Sequence, residues 1–336
     1  MEAPRSRPET IDKLRFAVDG AFAMLAGMQL DVFTPLKDGP MTSKQIAEAI
    51  RVGPERLQLL LYALVAAGLL TEQDGRFSNT AEANEFLVRG AAPSYMGNQH
   101  ALLSQRWVAN LPKTAESIRT GVPQAKVDFS KSSQDELEKF LRRINVRTVT
   151  AAHALLENYD FSSIKTLADV GCGGAGLALA IVKACPHVQA TAIDLPQVTP
   201  IAQKIVEEAG ATDRVKVMAA DVVRASLPGS YDAVVLRGLL QVLPLDDARV
   251  ALKNIAAAIN PGGKLFLVGQ ILDNSRTSPP EAVGWNLSFI NSFEAGESYT
   301  EQEHRDWLTA AELVDIERAN FLLPDEHGLM TARKRR

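Results

Sequence analysis

The sequence contains few of the residues that mark several large classes of protein. Two cysteines among 336 residues are too few for a disulfide framework of the kind small secreted proteins use. Five histidines lie far apart and give no zinc-type spacing, so no metal site is predicted. No run reaches the ~20 apolar residues that span a bilayer, and the first ten residues contain no signal-like apolar stretch. We therefore expect a cytoplasmic protein without a membrane partner.

Positive charge is not in excess either. The chain has 36 Lys and Arg residues against 40 Asp and Glu residues, which gives a net charge of −4. Nucleic-acid binding needs a basic excess on some face, so no nucleic-acid partner is predicted. Hydrophobic residues at 46% and charged residues at 23% are typical of globular proteins. At ~150 residues per domain, the length predicts about two domains.

The first part of the chain is predicted to contain a winged-helix unit. Apolar residues recur at helical spacing from Ile11 to Leu36. A short helix starting at Ser43 and a second helix over Pro54–Ala67 come before a hairpin around Asp74-Gly75. Residues 40–95 carry five basic and six acidic side chains, so they offer no basic stripe to read a DNA groove. We interpret the unit as a packing or dimerisation module.

From about residue 160 the pattern changes to alternating strands and helices, after a largely helical stretch over 95–160. The strand-like runs are Thr166–Val170, Val188–Ile193, Val215–Met218, Tyr231–Leu236 and Lys264–Val268. Such alternation predicts an α/β domain with a mostly parallel sheet and helices on both faces. We expect a winged-helix part over 1–110, a helical connector over 111–160 and a Rossmann-like domain over 161–336.

A glycine loop follows the first of these strands and reads Asp169-Val-Gly171-Cys-Gly173-Gly-Ala-Gly176. Glycines allow a sharp strand-to-helix turn and a close approach of the backbone to a ligand. Asp194 ends the next strand about twenty residues on, where a carboxylate can accept both ribose hydroxyls. Asp221 ends the third strand, where a carboxylate can meet an adenine amino group. Together these features predict a nucleoside site.

A dinucleotide oxidoreductase and an S-adenosylmethionine enzyme both fit a site of this kind. The dinucleotide loop needs a helix N-terminus that faces a pyrophosphate. S-adenosylmethionine has no phosphate, and an acid such as Asp169 usually precedes its loop. The sequence therefore favours S-adenosylmethionine.

The chain resembles the class I methyltransferases of the plant-type small-molecule O-methyltransferase family over nearly its whole length. The matching segments are the glycine loop, Asp194-Leu195-Pro196, Asn260-Pro-Gly-Gly-Lys264, and Phe140-x-Arg-x-Ile144 followed by Thr148. The resemblance implies S-adenosylmethionine as cofactor, S-adenosylhomocysteine as product, a helix that closes over the cofactor, and an intertwined homodimer. The cofactor-binding residues that it implies are Thr148, Gly171, Gly173, Gly176, Asp194, Leu195, Asp221, Val222 and Arg237.

The family's general base is missing from this chain. Gln241 stands where the family has the histidine of a His-Asp-Trp motif, and Gly269 and Ser298 replace the two glutamates that orient it. Glu297 is one position off, so a shifted register would restore one acid. A glutamine amide does not titrate near pH 7 and cannot act as a general base.

Three explanations remain open. The acceptor needs no deprotonation, another residue serves as base, or methyl transfer has been lost. The candidate substitutes for the base are Tyr95, His100 and Tyr299. The first explanation is the most economical, because a thioether sulfur has a lone pair and no proton to lose. The protein then needs only to hold the reacting atoms in line at about 3–3.5 Å.

Within the wider family, the chain is similar to the bacterial methylthiohydroxybutyrate S-methyltransferases of dimethylsulfoniopropionate synthesis. The similarity lies in the missing histidine and in the segments Leu25–Thr34 and Tyr299–Trp307. It implies S-methylation of a thioether hydroxy acid such as 4-methylthio-2-hydroxybutyrate.

The acceptor is expected to be small and anionic. Arg142, Arg143 and Arg147 lie on the helix that closes the site, and an arginine fork pairs bidentately with a carboxylate. The predicted acceptor-binding residues are Tyr95, Met96, Gln99, Trp107, Phe140, Arg143, Asn286, Phe289, Asn291 and Tyr299.

Other functions remain as alternatives. One is O- or C-methylation in a natural-product pathway, with a base that is relocated or not needed. A second is a winged-helix regulator that senses S-adenosylmethionine without catalysis. A third keeps the cofactor as a structural or electrostatic aid to another reaction.

Overall fold

The computed structural model describes residues 7–90, 95–126, 133–319 and 327–336. The chain divides into two compact units, residues 1–107 and residues 108–336. The whole of the predicted connector therefore belongs to the second unit, and residues 127–132 of it lie outside the described residues.

The first unit is a small winged-helix arrangement. Its helices are α1 Glu9–Leu30, α2 Ser43–Ile50, α3 Pro54–Ala66, α4 Ala81–Phe86 and α5 His100–Ser104, and its strands are β1 Met41–Thr42, β2 Leu70–Gln73 and β3 Arg76–Asn79. The three strands pair in the order β1-β3-β2. A reciprocal capping box starts α2, because Thr42 and Gln45 each accept the other's backbone N–H. The predicted order of helix, helix and hairpin is confirmed.

The first helix is shorter than the hydrophobic pattern indicates. It ends at Leu30 because Asp31 adopts a left-handed conformation with φ of 57°. The apolar residues that follow form a separate 3₁₀ turn over Thr34–Asp38.

The second unit is a seven-stranded sheet flanked by helices. Its helices are α6 Thr114–Thr120, α7 Gln134–Asn158, α8 Gly176–Ala184, α9 Thr199–Glu208, α10 Leu245–Ala257, α11 Pro280–Ser292 and α12 Glu301–Ala310. Its strands are β4 Thr166–Val170, β5 Gln189–Asp194, β6 Val215–Ala219, β7 Tyr231–Arg237, β8 Ile259–Val268, β9 Ile271–Leu272, β10 Tyr299–Thr300, β11 Leu313–Arg318 and β12 Leu329–Lys334. The short strands β9 and β10 pair with each other outside the main sheet.

The main sheet runs in the order β11-β12-β8-β7-β4-β5-β6. Its five strands β4 to β8 are parallel, whereas β12 is antiparallel to β8 and β11 to β12. The predicted α/β class with a mostly parallel sheet is confirmed, with an antiparallel edge that the sequence pattern did not indicate. Leu167, Ala168 and Val170 of β4 are fully buried, as expected for a strand covered by helices on both faces.

The strand order changes direction at β4, which lies between β5 and β7. Ligands of such sheets bind outside the carboxyl ends of the strands at this switch point. The glycine loop after β4, Asp194 at the end of β5 and the segment after β7 meet there. Among the described residues, no helix is both long and apolar enough to cross a membrane.

Candidate functional site

A cavity of about 620 Å³ opens at this switch point, and the described residues that line it belong to the second unit. This volume lies within the range usual for small-molecule sites. The residues singled out in the sequence that line it are Phe140, Ile144, Arg147, Gly171, Gly173, Asp194, Leu195, Asp221, Val222, Arg237 and Gln241.

The glycine loop and the acid after β5 are joined by hydrogen bonds. Gly171 and Gly173 have φ of +71° and +53°, a conformation that side chains disfavour. The backbone N–H of Gly173 donates to Asp194 Oδ2 at 2.8 Å, and that of Leu195 donates to Asp194 Oδ1 at 2.7 Å. Burial raises the pKa of Asp194 above its usual value, and these two N–H donors oppose the shift. The loop and the carboxylate thus form one preorganised wall of the cavity.

Two predicted cofactor residues support the loop from behind. Asn145 Oδ1 accepts the backbone N–H of Gly176 at 2.8 Å and the hydroxyl of Thr148 at 3.0 Å. A Cβ atom at Gly176 would lie 2.2 Å from Asn145 Oδ1, so only glycine permits this contact. Neither Thr148 nor Gly176 lines the cavity, and both dock α7 against the loop. Sequence reasoning missed Asn145, although it lies within the matched Phe140–Thr148 segment.

The lining of the same cavity also contains Asp221, Val222 and Arg237. Asp221 Oδ1 accepts the backbone N–H of Val223 at 3.0 Å, and its Oδ2 lies 3.3 Å from Arg224 Nε. These contacts hold the carboxylate in place at the end of β6.

Asp169, at the end region of β4, is buried beneath the loop. Its Oδ2 accepts the backbone N–H of Ala178 at 3.1 Å. Burial raises the pKa of Asp169 to about 7, and the nearby Arg237 acts against that rise. The side chain is therefore partly protonated near neutral pH.

Gln241 is held in the cavity wall by backbone contacts. Its Oε1 accepts the backbone N–H of Gln270 at 2.8 Å. A Cβ atom at Gly269 would lie 2.7 Å from the same oxygen, and one at Gly296 would lie 2.5 Å from the Gln241 carbonyl oxygen. A side chain at residue 269 would therefore collide with the Gln241 amide, which is a steric reason for glycine at this position.

The described part of the cavity lining contains no histidine, cysteine, lysine or tyrosine. Its acids are Asp194, Asp221 and Asp247. Tyr299, a predicted substitute base and acceptor contact, lies instead in the core, where its hydroxyl is 3.4 Å from the Leu243 carbonyl oxygen. Burial and then the charges of nearby glutamates raise the pKa of Tyr299, which makes it a poor base near neutral pH.

Of the arginines singled out on α7, Arg147 lines the cavity, whereas Arg143 is exposed and does not line it. The Arg147 guanidinium lies 5.7 Å from the ring centroid of Trp285, which also lines the cavity. Phe289 is buried behind Trp285 and stacks on it at 6.1 Å. The prediction of an arginine on this helix therefore applies to Arg147 rather than to Arg143.

Asn286 and Asn291 do not line the cavity, contrary to the expectation that they contact the acceptor. Asn291 is fully buried, donates to Thr114 Oγ1 at 2.8 Å and accepts the Ser117 hydroxyl at 2.6 Å. Asn286 Oδ1 accepts the backbone N–H of Ser298 at 2.7 Å. Through these hydrogen bonds, both side chains hold α11 against neighbouring segments.

The remaining predicted acceptor contacts belong to the first unit. They are Tyr95, Met96, Gln99 and Trp107, together with the candidate base His100. His100 Nδ1 lies 3.1 Å from the Gly97 carbonyl oxygen within that unit. Their role in acceptor binding stays a prediction.

The chain matches two protein families. The O-methyltransferase domain family covers residues 118–313, more than half of the chain, and the O-methyltransferase dimerisation domain family covers residues 20–89.

Individual relatives extend this likeness to almost the full length. The 3-hydroxy-5-methyl-1-naphthoate 3-O-methyltransferase of Streptomyces sahachiroi is 27% identical over 93% of this chain and 91% of its own. The 8-amino-8-demethylriboflavin N,N-dimethyltransferase of Streptomyces davaonensis is 30% identical over 75% of this chain and 76% of its own. The crystal structure of the S-adenosylmethionine-dependent methyltransferase SibL has a TM-score of 0.80 at 25% identity, over 98% of this chain and 100% of that one. The chain therefore belongs to the O-methyltransferase domain family and is a methyltransferase that uses S-adenosylmethionine.

Proposed function

We propose that this methyltransferase acts on a small anionic acceptor whose nucleophilic atom needs no deprotonation. The preferred acceptor is a thioether hydroxy acid such as 4-methylthio-2-hydroxybutyrate, which becomes a sulfonium. The observation that carries the proposal is the position of Gln241. Its amide oxygen is bound to the Gln270 N–H in the cavity wall, at the place of the family's catalytic histidine.

The residues present fit S-adenosylmethionine. The positive-φ glycines Gly171 and Gly173 open the backbone to a ligand beside Asp194, and Asp221 lines the same cavity. Asp194 holds the ribose hydroxyls, Asp221 and Val222 hold the adenine, and Leu195 and Arg237 complete this side.

The chemistry balances without a proton acceptor. S-adenosylmethionine supplies an electrophilic methyl group on a sulfonium sulfur. Attack by the lone pair of the thioether forms the new S–C bond, the electron pair of the broken bond stays with the donor's sulfur, and no proton is released. The protein then has only to align the two reactants. Alignment alone lowers the activation barrier by about 7–11 kcal/mol.

The acceptor side of the cavity supports an anionic substrate. Arg147 carries a fixed positive charge there and is steadied by the Trp285 ring. An arginine fork binds a carboxylate through two parallel hydrogen bonds. Phe140 supplies apolar surface for the rest of a small acceptor.

A neutral amine is the second candidate acceptor, because it too carries a lone pair at neutral pH. The relative that is 30% identical is named as an N,N-dimethyltransferase. A phenol acceptor requires a base, and the cavity carboxylate left for that role is Asp247.

Product analysis tests the proposal. The purified protein is incubated with methyl-labelled S-adenosylmethionine and, separately, with 4-methylthio-2-hydroxybutyrate, an aromatic amine and a catechol. Label in a dimethylsulfonio acid supports S-methylation. Label confined to the amine or to the catechol contradicts it, and loss of catechol methylation in Asp247→Asn would identify the relocated base.

We also propose that the chain forms a homodimer through its first unit. Residues 20–89 match a dimerisation domain, and α1 leaves the apolar side chains of Ile11, Leu14 and Phe16 exposed. Light scattering of the purified protein is expected to give twice the mass of the single chain.

A further inference from the structure

Three glycines lie against Gln241 and give the two ends of its amide different surroundings. A Cβ atom at Gly269 would lie 2.7 Å from Gln241 Oε1, and one at Gly296 would lie 2.5 Å from the Gln241 carbonyl oxygen. A Cβ atom at Gly238, which also lines the cavity, would lie 3.6 Å from Gln241 Nε2. The amide oxygen therefore lies against the backbone of residues 269–270, whereas the amide nitrogen lies beside another residue of the cavity wall.

The partner of the amide oxygen fixes the orientation of the whole amide. The backbone N–H of Gln270 can only donate, so the Gln241 atom that it binds at 2.8 Å is the oxygen. Within the ranges that the structure describes, Gln241 Nε2 donates no hydrogen bond, and it is not sealed from solvent. A ligand in the cavity therefore meets N–H donors and no proton acceptor at the Gln241 amide.

The sheet order places Gln241 away from the nucleoside residues. The central strands run in the order β8-β7-β4-β5-β6, with β4 at the switch point. Asp194 ends β5 and Asp221 follows β6, so both lie on one side of β4. Gln241 follows β7, on the other side of β4. Its donors are therefore placed for the acceptor rather than for the ribose and adenine of the cofactor.

We propose that Gln241 is a specificity-determining residue whose side-chain N–H binds an oxygen lone pair on the 2-substituent of the acceptor. The inference rests on the proposed function, in which a thioether acid receives the methyl group. A 2-hydroxy or 2-oxo group offers a lone pair to this donor, whereas a 2-ammonium group offers only N–H bonds and leaves both groups without a partner. The acceptor class is accordingly a 2-hydroxy or 2-oxo thioether acid rather than the corresponding amino acid.

Three acceptors with one carbon skeleton provide the test. They are 4-methylthio-2-hydroxybutyrate, 4-methylthio-2-oxobutyrate and methionine, whose 2-substituent is an ammonium group. We expect the wild type to have a higher kcat/KM for the hydroxy and oxo acids than for methionine. Gln241→Met keeps an unbranched side chain and the charge of the cavity but removes the donor. The ratio of kcat/KM for the hydroxy acid to that for methionine is expected to fall about 2- to 12-fold, which is equivalent to one hydrogen bond of about 0.5–1.5 kcal/mol.

A second variant, Gln241→Glu, reverses the polarity at the same position. One carboxylate oxygen can accept the Gln270 N–H as the amide oxygen does, and the other replaces the amide nitrogen with a proton acceptor. The ratio of the hydroxy acid to methionine is expected to fall further than in Gln241→Met, because the ammonium group then has a charged partner.

The control for charge is Asp247→Asn. This change removes a negative charge from the same cavity wall and leaves Gln241 in place. We expect it to shift the ratio between the acceptors much less than Gln241→Glu does. A shift of equal size in the opposite direction would mean that the net charge of the cavity decides the ratio, and it would overturn the proposed contact.

The outcomes separate this inference from the proposed function. Wild-type protein that forms no sulfonium product from any of the three acids contradicts the proposed function and the inference with it. Sulfonium formation with the same acceptor ratio in the wild type and in Gln241→Met overturns the inference alone, and so does a raised Kd for S-adenosylmethionine in Gln241→Met with that ratio unchanged. The wild-type ratio needs no variant, so a preference for methionine overturns the inference even if a variant does not fold.

Discussion

Gln241 Oε1 accepts the backbone N–H of Gln270 at 2.8 Å, across the point where β7 and β8 end beside the cavity. This bond joins two segments that both line the site. A side chain at Gly269 would collide with the same oxygen at 2.7 Å. Residue 241 is thereby part of the cavity wall, at the position where the sequence predicts that a histidine and the acid at residue 269 have been lost together.

The first prediction concerns Gln241 as a structural acceptor. Gln241→Leu leaves the Gln270 N–H without its partner, which costs about 1–3 kcal/mol in the free energy of unfolding. Gln241→Glu keeps an oxygen acceptor in reach of this N–H, so its free energy of unfolding is expected to fall less than that of Gln241→Leu. Chemical denaturation of both variants measures the difference. Methyl transfer by Gln241→Leu is expected to fall modestly, whereas a collapse in kcat would indicate a catalytic role.

The second prediction distinguishes two arginines on α7. Arg147→Met removes a charge from the cavity and should raise the KM for a carboxylate acceptor about 10- to 100-fold, equivalent to about 1.5–3 kcal/mol for a charged hydrogen bond. Arg143→Met removes the same charge from the exposed surface and is the matched control. The Kd for S-adenosylmethionine, measured by calorimetry, should not change in either variant. Equal KM values for the two variants would contradict the assignment.

The third prediction concerns the pH dependence of stability. The pKa of Asp169 is about 7 in the folded protein because of burial, whereas an unfolded aspartate titrates near 3.8. Between these values the folded state holds a proton that the unfolded state has lost. The contribution of Asp169 to the free energy of unfolding therefore falls as pH rises from about 4 to 7, by up to about 1.4 kcal/mol per pH unit.

Asp169→Asn is the control for this titration. The amide oxygen keeps an acceptor for the Ala178 N–H but does not ionise. Denaturation midpoints measured from pH 4 to 7 should therefore decline more steeply in the wild type than in the variant. Parallel curves would show that Asp169 does not carry the proton.

The fourth prediction tests the structural role of Asn291. This side chain is fully buried and bonds Thr114 and Ser117 from α11. Asn291→Ala should lower the free energy of unfolding by about 2–4 kcal/mol, since it leaves several buried partners unsatisfied. The KM for the acceptor should stay the same in the folded fraction. A changed KM with an unchanged melting temperature would favour the acceptor contact that the sequence suggested.

The sequence pattern predicted the elements that local chemistry determines. The strands β4 to β7 match the apolar runs within a residue or two, since buried parallel strands leave a continuous hydrophobic signal. The glycine loop and the strand-end acids were placed at one edge because parallel strands end at the same edge. The antiparallel edge strand β11 was not predicted, because only Leu313 of it is fully buried and its charged residues interrupt any continuous apolar run.

The acceptor side was harder to predict, because it depends on tertiary contacts. Arg143 and Arg147 lie four residues apart on α7, so the sequence alone does not show which of them lines the cavity. The packing of that helix decides it. Asn145, Gln270 and His327 gave no motif signal. His327 reaches Gln270 through a contact between residues that are 57 positions apart in the chain.

The pH dependence of the methyl-transfer step tests most directly the central claim that transfer needs no general base. Single-turnover rates are measured with the acceptor that product analysis identifies, from about pH 7.5 to 9, above the titration of Asp169. A nearly flat profile is expected for transfer without a base, because a thioether has no proton to lose in this range. A rate that rises steeply with pH and follows one ionising group of the protein would contradict it.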